Sequence, residues 1–229
     1  MIEEPPLLTI ARQIARPERA VVEAFENTPT CFIVDAMGGS GGLDFRIKSI
    51  AAVRPFAGVA LTCDCGPADN LALCAAVAQC QPGDVIVAAT GNYNGASVVG
   101  DLLLGIAKNR GAVAFITDGL VRDVNDIEAL RFPVFAMGAT PNSPSRNGPG
   151  TVGLPVQCGG LAITSGDIVI GDRDGVVVVP LATVNRVLEV LSKVRDLEAQ
   201  MLSKVKGGLT EVEFVAELLA GKRVRRVDP

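Results

Sequence analysis

The chain has 229 residues, of which 48% are hydrophobic and 20% charged, and its net charge is −4 with a pI of about 5.0. This composition is typical of a globular protein of one domain, and the acidic balance argues against a nucleic-acid surface, which needs clustered Lys and Arg. Histidine is absent, which excludes Ser-His-Asp and Cys-His catalysis as well as His-ligated zinc.

The sequence shows no signal-peptide pattern, and no apolar run reaches the roughly 18 residues that a membrane span requires. We therefore expect a cytoplasmic protein with no membrane partner and no nucleic-acid partner. The six cysteines form no C-x-x-C pair and most lie in apolar runs, which predicts reduced thiols in the core. The basic cluster KRVRR at 222–226 is interpreted as a solvated tail, with docking to a partner as the alternative.

The first predicted elements are two short helices, in ERAVVEAFEN after Pro17 and in PTCFIVDAMGG at 29–39, where a strand is the alternative. From about residue 46 strands and helices alternate, which predicts parallel strands joined by right-handed crossovers. The predicted strands are RIKSI, FAGVALTC, DVIVAAT, AVAFIT and PVFAMGA, and the predicted helices are PADNLALCAAVAQC, VVGDLLLGIAKNRG and RDVNDIEALR. Ligands in such sheets bind at the carboxyl ends of the strands, which here are Thr90-Gly91-Asn92 and Thr117-Asp118-Gly119.

The part of the chain after residue 150 has a different pattern. VGLPVQCGGLAI, GDIVIGD and GVVVVP predict short antiparallel or barrel-like strands, with GDRDG at 171–175 as a hairpin turn. A long helix with an apolar stripe from Val184 to Val205 follows and ends at Gly207-Gly208. Thr210 and Glu213 predict a capping box for a last short helix.

Four charged side chains follow the strand AVAFIT, in TDGLVRDVND at 117–126: Asp118, Arg122, Asp123 and Asp126. A turn needs only one Asp or Asn and a Gly, so four charges indicate either a solvated loop or a site for a cation and an anionic substrate. Arg122 offers a bidentate partner for a carboxylate, and Asp123 is a hard oxygen ligand suited to Mg²⁺ or Mn²⁺. Adjacent residues at a helix start point about 100° apart, so we expect Arg122 and Asp123 to act without neutralising each other.

A glycine-rich loop, GNYNGASVVGDLL at 91–103, precedes a predicted helix that begins near Gly100. Free N–H groups and the positive end of a helix make such a loop an anion cradle, although this one matches neither a P-loop nor G-x-G-x-x-G. Asp101, at the helix start, is a candidate either to orient a water or to cap the helix.

The spacing Asp101–x20–Arg122-Asp123, together with GASVVGDLL, AVAFITDG, RDVNDIEALRFPVFAMG and GDIVIGDRDGVVVVP, resembles the RraA-like family over roughly residues 30–182. Its enzymatic members are the class II 4-hydroxy-4-methyl-2-oxoglutarate / 4-carboxy-4-hydroxy-2-oxoadipate aldolases. The resemblance implies an α/β fold, an αββα sandwich related to swivelling β/β/α domains, in residues 1–181, with a C-terminal helical extension at 182–229. It also implies homotrimers or dimers of trimers with active sites at subunit interfaces.

Carried to this sequence, the resemblance implies that Asp123 binds the divalent cation, Mg²⁺ or Mn²⁺. It implies that Arg122 binds the carboxylate of a small 2-oxo acid and polarises a catalytic water, and that Asp101 contacts a metal-bound water. It also implies that the backbone N–H groups of Leu102 and Leu103 receive the substrate carboxylate and that Gly100 belongs to the same substrate-binding cradle.

The resemblance further implies a glutamate from an adjacent subunit that completes the site. Glu198 is the candidate because it lies on or beside the apolar stripe of the long helix, where a flank position exposed to solvent is the alternative. Glu189 and Glu211 are the other glutamates that fit this role.

The function that the resemblance implies is a metal-dependent aldolase that cleaves 4-hydroxy-2-oxo dicarboxylic acids to pyruvate, with oxaloacetate decarboxylase side activity. A metal that absorbs the charge developing on the 2-oxo oxygen needs no histidine, whereas a Schiff-base route through Lys108 is less favoured. The alternative is an RraA-type regulator that binds a ribonuclease without catalysis. A related activity on another 2-oxo acid or sugar acid, and a merely solvated turn, are the remaining interpretations.

Overall fold

In the computed structural model, residues 6–51 and 54–228 are described, and they form fourteen strands, seven α-helices and one 3₁₀ turn at Leu181–Thr183. The strands β1 to β14 are, in chain order, Leu8–Ile10, Lys48–Ser49, Phe56–Asp64, Asp84–Ala89, Ser97–Val99, Ala114–Thr117, Leu120–Val121, Val134–Ala136, Gly138–Ala139, Gly150–Val152, Val156–Cys158, Leu161–Ile163, Ile168–Gly171 and Val176–Val179. The helices α1 to α7 are Arg19–Glu23, Thr30–Ala36, Leu71–Gln79, Asp101–Asn109, Val124–Leu130, Val184–Lys206 and Glu213–Ala220.

The centre of the main sheet consists of β3, β4, β6 and β8, which pair in parallel in that order. The parallel pairing predicted from the alternation of strands and helices is therefore confirmed. Strand β2 pairs antiparallel with β8, and the other edge of β3 is shared by β10 and β13. All six residues of β4 are buried, as expected of a parallel strand that is covered on both faces.

The two faces of this sheet pack against different layers. One face, which includes Leu61 and Ile86, packs with helices α3, α4 and α5 in one apolar cluster. The alternate residues, such as Ala60 and Val85, face a second cluster with β11, β12 and β14. The period-two alternation of side chains along each strand thus separates a helical layer from a second β layer.

A second helical layer covers the outside of β13 and β14, which form an antiparallel hairpin around the turn at 171–175. Val177 and Val179 pack with residues of α2 and α6 in a third cluster. The order of the layers is α, β, β, α, so the predicted αββα sandwich is confirmed. The hairpin turn is also confirmed, and Asp172 within it accepts hydrogen bonds from the N–H and the hydroxyl of Thr30, both at 2.8 Å, at the start of α2.

A separate three-stranded parallel sheet consists of β5, β7 and β9, in that order. Each of these short strands follows a strand of the main sheet along the chain, since β4 leads to β5, β6 to β7 and β8 to β9. The prediction that Val98 and Val99 belong to a helix is wrong, because they lie in β5 and α4 begins only at Asp101. These residues form a strand because the backbone of β5 pairs with that of β7.

The C-terminal helix α6 packs on α2 only through its first two turns. Val184, Val187 and Leu191 are buried there, whereas Leu197 and Met201 further along the same stripe are exposed. The predicted capping box is wrong, because Val212 precedes α7 and no side chain caps the helix. The division at 181/182 stays a prediction. Within 6–51 and 54–228, no helix has the length and apolar character that crossing a membrane requires.

The segment before α1 is tied to the main sheet by an ion pair with Asp84, which is completely buried at the start of β4. The carboxylate of Asp84 accepts hydrogen bonds from both terminal nitrogens of Arg16, one of them at 3.1 Å, and from the N–H of Gln81 at 2.9 Å. The hydrogen bond with Asp84 raises the pKa of Arg16 above its ordinary value. A buried carboxylate that loses its only charged partner is strongly unfavourable.

We predict that Arg16→Met lowers the free energy of unfolding by about 3 kcal/mol, because Asp84 is left buried and unpaired. The measurement is chemical denaturation at neutral pH. The matched control is Arg19→Met, whose ion pair with Glu23 is solvent-exposed and should contribute less than about 0.5 kcal/mol. Equal effects of the two substitutions would contradict the role assigned to the buried pair.

Candidate functional site

Parallel pairing of β5 with β7 brings the two predicted loops together. Ser97 pairs with Leu120 and Val99 with Val121, and the N–H of Arg122 donates to the carbonyl of Val99 at 3.0 Å. The residues that follow these strands, Gly100-Asp101 on one and Arg122-Asp123 on the other, are therefore neighbours. Residues twenty-two apart in sequence meet because their backbones are hydrogen-bonded immediately before them.

Asp118, the first carboxylate of the loop after β6, has a structural role. It is buried and accepts hydrogen bonds from the N–H of Thr90 at 2.6 Å, the hydroxyl of Thr90 at 2.9 Å and the N–H of Asn92 at 3.1 Å. These bonds join the carboxyl ends of β4 and β6. Asp118 therefore fixes the loops rather than contacting a ligand.

Asp123 precedes α5 with a left-handed backbone, φ 62° and ψ 44°. An aspartate at this position normally caps the helix through its side chain, but the carboxylate of Asp123 makes no capping hydrogen bond. Its carbonyl instead accepts the N–H of Ile127 at 2.9 Å. Unusual backbone conformations are concentrated at functional sites, and here the conformation accompanies a carboxylate that is left free of the helix.

Gly100 provides the space that this carboxylate occupies. A Cβ atom at position 100 would overlap Oδ2 of Asp123 and would lie 3.1 Å from Nε of Arg122. Gly100 has an extended backbone, with φ −125°, so a larger residue here would not strain the backbone but would displace the carboxylate of Asp123. The carboxylate therefore rests directly against the start of α4.

Arg122 is held between two partners. Its Nη1 donates to the hydroxyl of Ser143 at 2.6 Å, and its Nε lies 3.3 Å from Oδ2 of Asp123. The expectation that Arg122 and Asp123 would not neutralise each other is wrong for this structure. Both side chains are a little over one-third exposed, so the ion pair is partly solvated and contributes at most about 1 kcal/mol. A ligand can displace it at low cost.

These residues line a cleft of about 670 Å³. Beyond Gly100, Arg122 and Asp123, its lining residues are Asn70, Cys74, Val99, Asp101, Leu102, Leu103, Ile106, Asp126, Ser143, Pro144 and Arg146. All the site residues predicted from one protomer thus line a single cleft. The side chain of Leu102 is 79% exposed, which gives the cleft an apolar rim.

Helix α4 directs its free N–H groups toward this region. Its N-cap is Gly100, not Asp101, and the N–H of Leu104 makes the first helical hydrogen bond, to the carbonyl of Gly100 at 3.3 Å. The N–H groups of Leu102 and Leu103 precede that bond and have no helical acceptor. They are suitable donors for an anion at the positive end of the helix.

The loop from 140 to 149 supplies three further residues of the cleft, Ser143, Pro144 and Arg146. Asp69 fixes this loop, since it accepts the hydroxyl of Ser145 at 2.9 Å and the N–H of Asn147 at 2.6 Å, besides the N–H of Leu71 at 2.8 Å. Burial opposes ionisation of Asp69, but these hydrogen bonds outweigh it and lower the pKa. No pattern in NSPSRNGPG indicates this contact, which depends on a residue more than seventy positions earlier.

Glu198 is not part of the cleft of its own protomer. It is exposed on α6 beyond the buried turns of that helix. The alternatives Glu189 and Glu211 are exposed as well and do not line the cleft. Lys108 is exposed and donates to the carbonyl of Leu130 at 2.6 Å, and no lysine lines the cleft within the described residues.

The donor set suits a hard cation that retains water molecules. Among residues 6–51 and 54–228, no group of three or more His, Cys, Asp or Glu forms a ready-made cage. Mg²⁺ and Mn²⁺ are compatible with one or two carboxylates, since Mg²⁺ usually keeps several waters. Asp123 provides one carboxylate, and Asp101 and Asp126 line the same cleft. The residues therefore fit such an ion, whereas a zinc site usually has several histidine or cysteine ligands, and among the described residues only the thiol of Cys74 lines this cleft.

Comparison with known proteins extends these observations. The RraA-like family, described as Aldolase/RraA, matches residues 30–178. A protein of Halalkalibacterium halodurans described as "Putative 4-hydroxy-4-methyl-2-oxoglutarate aldolase" is 35% identical over 180 residues, which are 79% of this chain and 86% of that protein. The residues matched by the family, 30–178, include every residue that lines the cleft.

Two solved structures have similar folds. An uncharacterized protein from Pseudomonas syringae pv. tomato superposes with a TM-score of 0.75 at 25% identity, over 86% of this chain and 96% of that chain. The structure of RraAS2 from Streptomyces coelicolor, described as an unusual member of the RNase ES inhibitor RraA protein family, superposes with a TM-score of 0.71 at 25% identity, over 83% and 100% of the two chains.

We predict that Asp69→Asn lowers the free energy of unfolding by about 2 kcal/mol at neutral pH, because three part-buried hydrogen bonds lose a charged acceptor. The pKa of Asp69 is lowered in the folded state, so its contribution is fully present above the unfolded value of about 3.9 and is lost as the pH falls through the lower folded pKa. Denaturation of both proteins across this range should show the difference narrowing in acid.

The matched control is Asp64→Asn, because Asp64 is exposed and, in the part of the chain that the structure describes, its carboxylate accepts only the N–H of Gly66, at 3.1 Å. Its effect should stay small at every pH. A penalty for Asp69→Asn that remained constant from neutral to strongly acidic pH would contradict the assignment.

Proposed function

The chain belongs to the RraA-like family, and from this membership we propose that it is a divalent-metal-dependent lyase that cleaves 4-hydroxy-2-oxo dicarboxylic acids to pyruvate. Oxaloacetate decarboxylation is proposed as a side activity. The observation that carries the proposal is the carboxylate of Asp123, which is released from helix capping and lies beside Arg122 in the space left by Gly100. The carboxylate of Asp123, the guanidinium of Arg122 and the free N–H groups at the start of α4 then face one cleft.

Substrate binding uses the two kinds of donor at the mouth of the cleft. The carboxylate of a 2-oxo acid is bound by the guanidinium of Arg122, whose planar donors match a carboxylate. The N–H groups of Leu102 and Leu103 donate to the same end of the substrate. The ion pair of Arg122 with Asp123 opens when the substrate arrives, and the hydrogen bond to Ser143 keeps the guanidinium in place.

Asp123 is proposed as the protein ligand of Mg²⁺ or Mn²⁺. When bound, the ion supplies a Lewis acid that stabilises negative charge on the 2-oxo oxygen as the carbon–carbon bond breaks. Asp123 keeps its carboxylate at the cleft because α5 fixes its backbone and Gly100 leaves room for it. Asp101, at the first position of α4, orients a water within the cleft.

Glu198 is proposed to reach the cleft of an adjacent copy of the chain, in a homotrimer or a dimer of trimers. Two features support this role: Glu198 lies outside its own cleft, and the α6 stripe around it leaves Leu197, Met201 and Val205 between 39% and 64% exposed. An apolar surface of this kind favours a protein interface. The cleft itself has an apolar rim, with Leu102 79% and Ile106 51% exposed.

The chemistry does not use a Schiff base, because no lysine lines the cleft in the described part of the chain. The alternative function is restraint of a ribonuclease, which the similarity to RraAS2 suggests. Metal-dependent release of pyruvate distinguishes the two, because a binding protein would release none.

We predict that the protein releases pyruvate from 4-hydroxy-4-methyl-2-oxoglutarate and from oxaloacetate, and that EDTA abolishes the release. Asp123→Asn should reduce turnover by about 100-fold or more, because the contribution of a bound metal is several kcal/mol. The free energy of unfolding should change by less than about 1 kcal/mol, since Asn tolerates the left-handed backbone and the ion pair is partly exposed. Pyruvate release and denaturation measured on the same samples test both statements.

The control for charge removal is Asp35→Asn, an exposed position on α2 that does not line the cleft. Gly100→Ala is a second variant that keeps every functional group and forces the Asp123 carboxylate out of its position. It should also lower turnover and weaken the binding of Mn²⁺, measured by electron paramagnetic resonance. No metal-dependent release by the wild-type protein would favour the ribonuclease-binding alternative.

We predict that Glu198→Ala and Arg122→Ala each inactivate the enzyme and that mixing the two restores part of the activity. In a mixed oligomer, the cleft of a Glu198→Ala subunit retains Arg122 and can receive Glu198 from a neighbouring Arg122→Ala subunit. One complete site is then restored. Subunit exchange is confirmed by mass spectrometry of differently tagged chains, and pyruvate release is then measured. The shared site is refuted if exchanged mixtures remain inactive while each variant stays folded.

A further inference from the structure

We propose that Arg146 binds the distal carboxylate of the substrate, and that Asn70 positions it, so that the cleft selects 2-oxo acids with a second carboxylate. This inference rests on the proposed function, in which Arg122 takes the carboxylate next to the 2-oxo group. It assigns a second guanidinium of the same cleft to the other end of the substrate.

The two guanidinium groups reach the cleft from different elements. Arg122 follows β7, whereas Arg146 lies in the loop that follows β9. The backbone of this loop is fixed on both sides of Arg146, because Ser145 and Asn147 are bound by Asp69. The N–H of Asn70 also donates to the carbonyl of Ser145 at 3.0 Å. The position of Arg146 is therefore set by buried groups, although its side chain is exposed.

Asn70 orients the guanidinium. It is buried, with 4% of its surface exposed, and its Nδ2 donates to the carbonyl of Val98 at 3.1 Å. That bond fixes which end of the amide faces the cleft, so Oδ1 accepts the Nε of Arg146 at 3.2 Å. The side-chain amide of Asn70 thus makes one hydrogen bond through its nitrogen and one through its oxygen. Because the amide is neutral, it holds the guanidinium of Arg146 without neutralising its charge.

The terminal nitrogens of Arg146 remain available for a ligand. A guanidinium has five N–H donors, and only the Nε donor of Arg146 has a hydrogen-bond partner among the described residues. Arg146 also forms no ion pair with any carboxylate in that part of the chain, unlike Arg16, Arg19, Arg46 and Arg122. Two parallel N–H donors on a fixed base match a carboxylate bidentately.

The charge of Arg146 acts within the cleft. The thiol of Cys74 also lines it, and burial raises the pKa of this thiol, an effect that the positive charge of Arg146 opposes. The carboxylates that line the cleft, Asp101, Asp123 and Asp126, belong to α4 and to the start of α5, apart from the Arg146 loop. Within the described residues, the cleft therefore has one guanidinium beside its carboxylates, that of Arg122, and a second one without an ion-pair partner, that of Arg146 in the loop after β9.

The test compares two substrates that differ only in the distal group, 4-hydroxy-2-oxoglutarate and 4-hydroxy-2-oxopentanoate, whose methyl group replaces the second carboxylate. For the wild-type protein, kcat/KM should favour the dicarboxylate. In Arg146→Gln the ratio of the two kcat/KM values should fall by about 10- to 100-fold, which is the effect of one charged hydrogen-bonding partner. Arg146→Lys keeps the charge but loses the planar donors, so its ratio should be intermediate.

The matched control is Arg173→Gln, an exposed arginine in the turn between β13 and β14 that does not line the cleft. Its ratio should equal that of the wild type. A ratio that is the same in Arg146→Gln and the wild type, or a wild-type protein with no preference, overturns the proposal.

Binding separates this result from a failure of the proposed activity. Calorimetry with Mg²⁺ present compares 2-oxoglutarate with 2-oxopentanoate, which lacks only the distal carboxylate. If no pyruvate is released but a preference for 2-oxoglutarate disappears in Arg146→Gln, the lyase activity is wrong and the carboxylate site stands. If pyruvate is released and neither preference depends on Arg146, the activity stands and the role of Arg146 is refuted.

Discussion

The candidate site depends on the backbone pairing between two very short strands, β5 and β7. The hydrogen bond from Arg122 N–H to the carbonyl of Val99 places the start of α4 beside the residues that precede α5. The other features of the site depend on this contact. Gly100 has no side chain, so the carboxylate of Asp123 occupies the space beside it, and the free N–H groups of α4 face the same cleft. If these strands were separated, the groups would remain in the sequence but would not form a site.

At Asp123 the fold lacks the stabilisation of a helix cap, and the carboxylate stays free to contact a ligand. A helix-capping aspartate typically contributes about 1 kcal/mol, and this residue instead takes a left-handed backbone without capping its helix. Its partner Arg122 is only partly shielded from water, so their attraction is weak enough for a ligand to replace. Buried Asp118 and Asp69 have the opposite character, because each is saturated with hydrogen bonds and holds a loop. Carboxylates of the same chain thus have different roles according to their burial.

Several features were predictable because their physical cause is local. The alternation of apolar strands with helices predicted the parallel core, and the continuous apolar run of β4 reflects its burial on both faces. Two predictions of secondary structure failed, the first of them because a distant partner was stronger than a local preference. Val98 and Val99 were assigned to a helix, but their pairing with β7 makes them a strand. Thr210 and Glu213 have the spacing of a capping box, yet α7 has Val212 as its N-cap, so the local pattern did not form.

By itself, the sequence determined the class of fold, the absence of histidine chemistry, and the identity of Asp101, Arg122 and Asp123 as candidates, since these follow from composition, periodicity and the spacing of residues within two segments. Only the tertiary structure decided that Asp118 is structural, that Arg122 and Asp123 pair, and that Arg146 and Asn70 face the cleft. These outcomes depend on contacts between residues up to about eighty positions apart, such as Asp69 with Asn147 and Asn70 with Arg146. No local pattern encodes which distant segments share an edge of the sheet, because that choice is made by packing of the whole chain.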